Sequence, residues 1–397
     1  MGEKSIKHKF RNSLLFFIIM SIAVICYAHL NESYRLGFTT YVQPIWIYLF
    51  ILFIFTIEFV KNLMEDLFIP SLMLYSLALS ISMAFSALIN MKETEVTIYA
   101  IVLYSFPWMA VLYLSYFLKK SPKSYESESN VIYFLLATTI FFSYLNMENV
   151  SEGSRIAINS IYWLVLCLPF ILKLKARLLR YSGILFVLVA TAISMKRTAI
   201  IAVLLGLSTY AIAKHMLNIK LKRSGIVSGV LIIVISAFVI YSYDYYAEKY
   251  HFDLQQRFQN AMVDGGSGRD SIYKDVVDMQ FKSSVFGWVF GHGQNAVAIE
   301  NGISAHNDFL EILFDYGLIG FVLYLGIYVK LIRQLRQMLS SSSELMAPFA
   351  ASIVMFFVIS IFSHLITIPT YCILLCLFWG LNLAEYSSYA KLNIKSN

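Results

Sequence analysis

The sequence predicts an all-α polytopic membrane protein, in which about 12 transmembrane helices accompany one large, partly helical extracytoplasmic loop. Three observations carry this. Of 397 residues, 59 % are hydrophobic and only 14 % charged, with a mean hydropathy of +0.68, whereas a water-soluble globule is about half apolar and about a quarter charged. Apolar runs of about 20 residues, the length that crosses a ~30 Å hydrocarbon layer as a helix, recur between short polar breaks. Finally, basic and acidic residues segregate into alternate breaks, as the positive-inside rule requires. The reading is of a single polytopic domain over 1–397.

The first apolar run, 13–30, follows a basic leader of Lys4, Lys7, Lys9 and Arg11 and lacks a small-x-small cleavage pattern before Asn31. It reads as a retained span and not as a removed signal peptide. Further spans are expected near 41–57, 68–90, 96–118, 130–147, 156–172, 178–195, 198–214, 225–243, 307–329, 346–366 and 368–386. With the N-terminus in the cytoplasm, the inner segments hold most of the 31 Lys and Arg and the outer ones most of the 24 Asp and Glu. Both termini are then cytoplasmic, and the net charge of +7 is a membrane anchor rather than a nucleic-acid footprint. Cys26, Cys167, Cys372 and Cys376 lie within apolar runs and read as packing residues.

The topology puts the long polar segment 244–305 outside, together with a tight turn that carries Lys196 and Arg197. Two basic residues there run against the charge bias, so they should snorkel to headgroups or face a hydrated cavity. Within the loop, Leu254, Phe258 and Met262 form one stripe of a short surface helix. A second helix is signalled by the cap Ser267-Gly268-Arg269-Asp270, followed by Ile272, Tyr273, Val276, Val277 and Gln280 at helical spacing. Arg269 would then stand in a first helical turn, where free N–H groups already favour an anion and a guanidinium adds a phosphate clamp.

Next come Gly291-His292-Gly293 and the run Ala305-His306-Asn307-Asp308-Phe309-Leu310-Glu311. His306, Leu310, Leu313, Gly317 and Gly320 recur at spacings of 4, 3, 4 and 3. That rhythm predicts a single helical stripe with His306 at the outer mouth of span ten. Asp308, Glu311 and Asp315 fall on a neighbouring face, expected to be a hydrated helix start. A histidine there can act as general base, since its unperturbed pKa is about 6.5; the alternative is an interfacial residue with a structural bond. His292 between two glycines reads as a turn residue. The set His292, His306, Asp308 and Glu311 fits no standard ligand spacing, so no metal is expected.

In this order, Ser194-Met195-Lys196-Arg197-Thr198-Ala199, Ser267-Gly268-Arg269, Gly291-His292-Gly293, Ala305 to Glu311 and Gly317-Leu318-Ile319-Gly320 resemble the bacterial O-antigen polymerase and ligase superfamily over about 194–327. The resemblance implies a metal-independent, inverting glycosyltransferase of GT-C-like architecture that requires no cofactor. Its donor and acceptor would be undecaprenyl-diphosphate-linked oligosaccharides, and its partners membrane lipid, a chain-length regulator and a flippase. Carried over by position, Arg197 and Arg269 bind the leaving diphosphate with Lys196, which stands where a serine is common, and His306 deprotonates the attacking hydroxyl. Arg257, His292 and Asn307 are secondary candidates. The expected activity is polymerisation of lipid-linked repeats for an O-antigen, capsule or exopolysaccharide. Ligation of finished polymer to lipid A core is the runner-up. A flippase would call for paired ionisable residues at mid-membrane or an inverted repeat, and the sequence has neither.

Overall fold

The computed structural model describes residue 18 and residues 42–64, 69–90, 100–119, 161–194, 196–217, 269–367 and 369–396. The regular structure among these residues is entirely helical, with no strand. The predicted spans 130–147 and 225–243, nearly all of 13–30, the stripe 254–262 and Arg257 lie outside the described residues. In chain order the helices are α1 (Val42–Met64), α2 (Ser71–Ile89), a π-helical turn (Ala100–Ser105), α3 (Pro107–Lys119), α4 (Ile161–Leu172), α5 (Arg177–Ile193) and α6 (Arg197–Leu217). They continue as α7 (Arg269–Lys282), α8 (Val285–Phe290), α9 (Ala296–Asn301), α10 (Asp308–Ser340), α11 (Met346–Phe362) and α12 (Pro369–Ser396).

Four of them, α1, α2, α6 and α10, are long and apolar enough to cross a membrane, and α4 and α11 are shorter apolar helices. The chain is thus that of a helical membrane protein. The predicted span 96–118 is divided: the π turn ends at Ser105 and α3 begins at Pro107. Proline has no N–H to give to a preceding turn and suits the first position of a new helix.

The core is built from helix pairs, α3 with α12, α6 with α11 and α2 with α10. Apolar residues on the outward faces, among them Phe53, Ile81, Ile212 and Val322, remain exposed, as a lipid-facing surface requires. Two polar pairs cross the core: Trp379 Nε1–H donates to Ser352 Oγ at 2.9 Å, and Tyr324 Oη–H to Ser360 Oγ at 2.8 Å. At one end, the turn after α4 supplies Lys173 to a part-buried ion pair with Glu385 of α12. The opposite end holds the start of α6 and the turn between α11 and α12.

One approach shapes that end. The expected stripe through Gly317 is broken, because Gly317 adopts φ 68 and ψ −171 in the middle of α10. The kink frees the carbonyls of Phe314 and Asp315, which accept from His292 N–H at 3.1 Å and Gly293 N–H at 2.9 Å. Gly291, at φ 80, and Gly317 pass so closely that a Cβ on Gly317 would lie 2.5 Å from Gly291 N and from the Val289 carbonyl. Both glycines are therefore required by the contact as well as by φ. Gly317→Ala should lower the melting temperature of the detergent-solubilised chain well beyond Gly302→Ala. The latter position also has positive φ, but nothing lies within 4 Å of its added Cβ, so it should lose only the left-handed penalty of about 1 kcal/mol.

Candidate active site

Asn307 starts α10: its side-chain oxygen accepts from Phe309 N–H at 2.9 Å and Leu310 N–H at 3.2 Å, a side-chain N-cap. His306 therefore precedes the helix, at φ 53, and is not the first member of the stripe that the 4, 3, 4, 3 spacing suggested. Its backbone N–H donates to Glu311 Oε1 at 3.2 Å, so the first turn of α10 reaches back to hold it. Among the described residues no hydrogen bond reaches its half-buried ring.

The acidic face of α10 is not hydrated either. Asp308, Glu311 and Asp315 are 0, 5 and 2 % exposed, and each carboxylate is engaged. Asp308 accepts from the backbone N–H groups of Leu365, at 3.1 and 3.0 Å, and Ile366, at 3.1 Å, and from the Thr367 hydroxyl at 2.9 Å. Asp315 accepts from Val297 N–H at 3.0 Å, at the start of α9. Glu311 Oε2 lies 3.1 Å from His364 Nδ1.

His364 was not singled out from the sequence. The apolar run 346–366 read as continuous, but α11 stops at Phe362 and residues 363–367 form a turn. The Thr367 hydroxyl gives its proton to Asp308, so it accepts from His364 Nδ1–H at 3.1 Å. At the other edge of the ring, Nε2 pairs with Ser304 Oγ at 3.1 Å. The His306 and His364 rings lie 4.5 Å apart between centroids, at 53°.

The cationic motifs reach this turn from two sides. Thr198, one residue into α6 from Arg197, donates its hydroxyl to the Phe362 carbonyl at 3.2 Å. Tyr273, one turn beyond Arg269 on α7, donates to the Ile361 carbonyl at 3.3 Å. Lys196 sits in the α5–α6 turn, its backbone N–H 3.3 Å from Ser194 Oγ and its ammonium 5.6 Å over the Tyr162 ring. The α11 end thus collects the starts of α6, α7 and α10. The cap residues Ser267 and Gly268 lie outside the described residues.

The electrostatics of the two histidines diverge. Burial, the neighbouring His364 and the charges of Arg269 and Lys196 push His306 down to about 4 against the opposing pull of Glu311. It is neutral near pH 7 and able to accept a proton. Burial also disfavours charge on His364, but the hydrogen bond and charge of Glu311, with Asp308, outweigh it and raise that imidazole above its ordinary value. Of the secondary candidates, His292 and Asn307 are engaged in contacts within the fold. His292 stacks on Phe314 at 4.4 Å and pairs through Nε2 with Ser283 Oγ at 2.8 Å, while Asn307 spends its oxygen on the cap. Among the described residues, no three His, Cys, Asp or Glu are arranged to hold a metal.

Asp308→Asn would replace one of the accepting oxygens with a donor that faces N–H groups. It should cost about 2 to 4 kcal/mol, read as a lower melting temperature in detergent. Faster proteolysis between 363 and 367 should accompany it.

No curated protein is found to be similar to the chain. Residues 182–325 match the O-antigen ligase family. The matched stretch carries Lys196, Arg197, Arg269, His292 and His306 and ends before the His364 turn. It bears out the resemblance read over 194–327 and supports an O-antigen polymerase or ligase type of activity on lipid-linked saccharides, in a multi-pass helical membrane protein.

Proposed function

We propose that the chain is a polysaccharide polymerase that joins undecaprenyl-diphosphate-linked repeat units at the outer face of the cytoplasmic membrane, with both termini inside. The observation that carries this reading is the approach of Lys196, Arg197, Arg269 and a neutral His306 to one helix end. Guanidinium forks and an ammonium suit a diphosphate, and they stabilise the charge that develops on it as it leaves. His306, with its ring free of hydrogen bonds among the described residues, takes the proton of the acceptor sugar hydroxyl. The hydroxyl oxygen attacks the anomeric carbon as the carbon–phosphate-oxygen bond breaks. The bonding pair departs on undecaprenyl diphosphate, and the anomeric configuration inverts. No step needs a metal.

Binding and base strength are linked in this scheme. Lys196 and Arg269 are two of the charges that hold His306 down, and a bound diphosphate neutralises them. The imidazole then becomes a stronger base once the donor is in place. Protonation of His306 removes the base, so activity should be lost as pH falls through its pKa. The acid limb of kcat/KM, which reports the free enzyme, should therefore lie near pH 4, and that of kcat, which reports the complex, at higher pH.

Purified enzyme given only lipid-linked repeats should produce a ladder of longer lipid-linked products on a gel. Product that forms only after core lipid is added would favour the ligase reading instead. Arg269→Ala and His306→Ala should each reduce ladder formation by about 10² to 10³ without loss of membrane insertion. Full activity in both variants would defeat the assignment.

A further inference from the structure

His364 takes no part in the transfer just described, yet it is the most constrained ring of the centre. It is 9 % exposed and bonded at both nitrogens, to Glu311 and Thr367 through Nδ1 and to Ser304 through Nε2. Because the carboxylate and the Thr367 oxygen both need a donor, Nδ1 carries a proton. Whether Nε2 carries a second one decides its charge, and Ser304 Oγ can accept it.

A single carboxylate joins the two histidines. Glu311 Oε2 holds the His364 ring, while Oε1 accepts the His306 backbone N–H. Asp308 fixes the turn on which His364 rides to the helix that follows His306. The 4.5 Å ring separation is thus set by two buried carboxylates and not by loop flexibility. Two imidazoles so close cannot both be charged without strong repulsion. The proton goes to the one that has a carboxylate partner. Charged groups facing His306 are His364, Arg269, Lys196 and Glu311; those facing His364 include Glu311, Asp308 and Lys196.

We propose that His364 is a positioning residue for His306: paired with Glu311, it carries the positive charge of the histidine pair, fixes the neighbouring ring and leaves His306 unprotonated. This rests on the reading of His306 as the base. It assigns to the α11–α12 turn, outside the matched family region, a part in the reaction. The balance of charge within the histidine pair supports it: Glu311 and Asp308 raise His364, while burial, His364 and the two cations depress His306.

The test uses the full chain in nanodiscs with its seven histidines labelled at Cε1, followed by NMR from pH 4 to 8. Single His→Gln substitutions assign the His306 and His364 resonances. In the unmutated chain the His306 midpoint should lie below that of His364; coincident or reversed midpoints overturn the proposal, with no variant needed. In His364→Gln, which keeps hydrogen-bonding capacity and removes the charge, the His306 midpoint should rise by about one unit. The acid limb of kcat/KM should move with it. An unmoved His306 midpoint in a variant with unchanged melting temperature also overturns the proposal. Polymerisation that survives His306→Ala would instead defeat the base reading while leaving the coupling of the two rings intact, so the two failures are distinct.

Discussion

The carboxylate of Asp308 is the interaction on which the site depends. A turn that joins two helices leaves N–H groups without helical partners, and burial makes each of them costly unless something accepts it. Asp308, fully buried at the first position of α10, takes the N–H groups of Leu365 and Ile366 and the Thr367 hydroxyl. It therefore ties the end of α11 to the start of α10. Everything with chemical character is attached to one or the other: His306 and Glu311 to α10, His364 to the turn, and the starts of α6 and α7 to the last carbonyls of α11. Loss of the carboxylate would leave the Glu311–His364 pair to hold the turn to α10 by itself among the bonds described.

The glycine contact does for the surrounding frame what Asp308 does for the centre. Gly317 breaks α10 after almost three turns, and the two carbonyls released there are accepted into bonds with His292 and Gly293. The segment that carries α8 and α9 is thereby held on the helix that begins with the site. Asp315 takes part twice. Its carboxylate accepts from Val297, and its backbone carbonyl accepts from Gly293 and from Ser86 Oγ of α2. The kink turns the two released carbonyls to tertiary donors, so neither is left unpaired where the helix is interrupted.

Among the described residues, the long apolar helices were legible because a run of apolar residues long enough to cross a bilayer has few other solutions. The motifs were legible because Gly, Arg and His in an apolar chain are conspicuous. What was misread involves contacts distant in sequence. His306 fits a helical rhythm with Leu310 and Leu313, but the Asn307 cap ends the helix before it, and a local rhythm does not reveal which residue caps. Asp308, Glu311 and Asp315 read as a hydrated face because nothing nearby could satisfy them; their partners at 297 and 364–367 lie up to some sixty positions away. His364 was hidden by its neighbours, since Ile361, Phe362, Leu365 and Ile366 carry the apolar pattern straight through the turn.

The arrangement also resolves a conflict inherent in the proposed chemistry. A site that binds a diphosphate must gather cations, and those same cations disfavour protonation of any nearby base. Placing the base far from the phosphates would avoid the penalty but would lose reach to the acceptor hydroxyl. Here the base stays close, and the carboxylates are used elsewhere: Asp308 on the turn, Asp315 on α9, and Glu311 on His364 and the His306 backbone. Had Glu311 paired with the His306 ring, that imidazole would hold a proton at rest and could accept none. Directed at His364 instead, the carboxylate places its charge one ring away, and in the proposed reaction His306 would meet the substrate as a neutral acceptor whose basicity rises when the anion arrives.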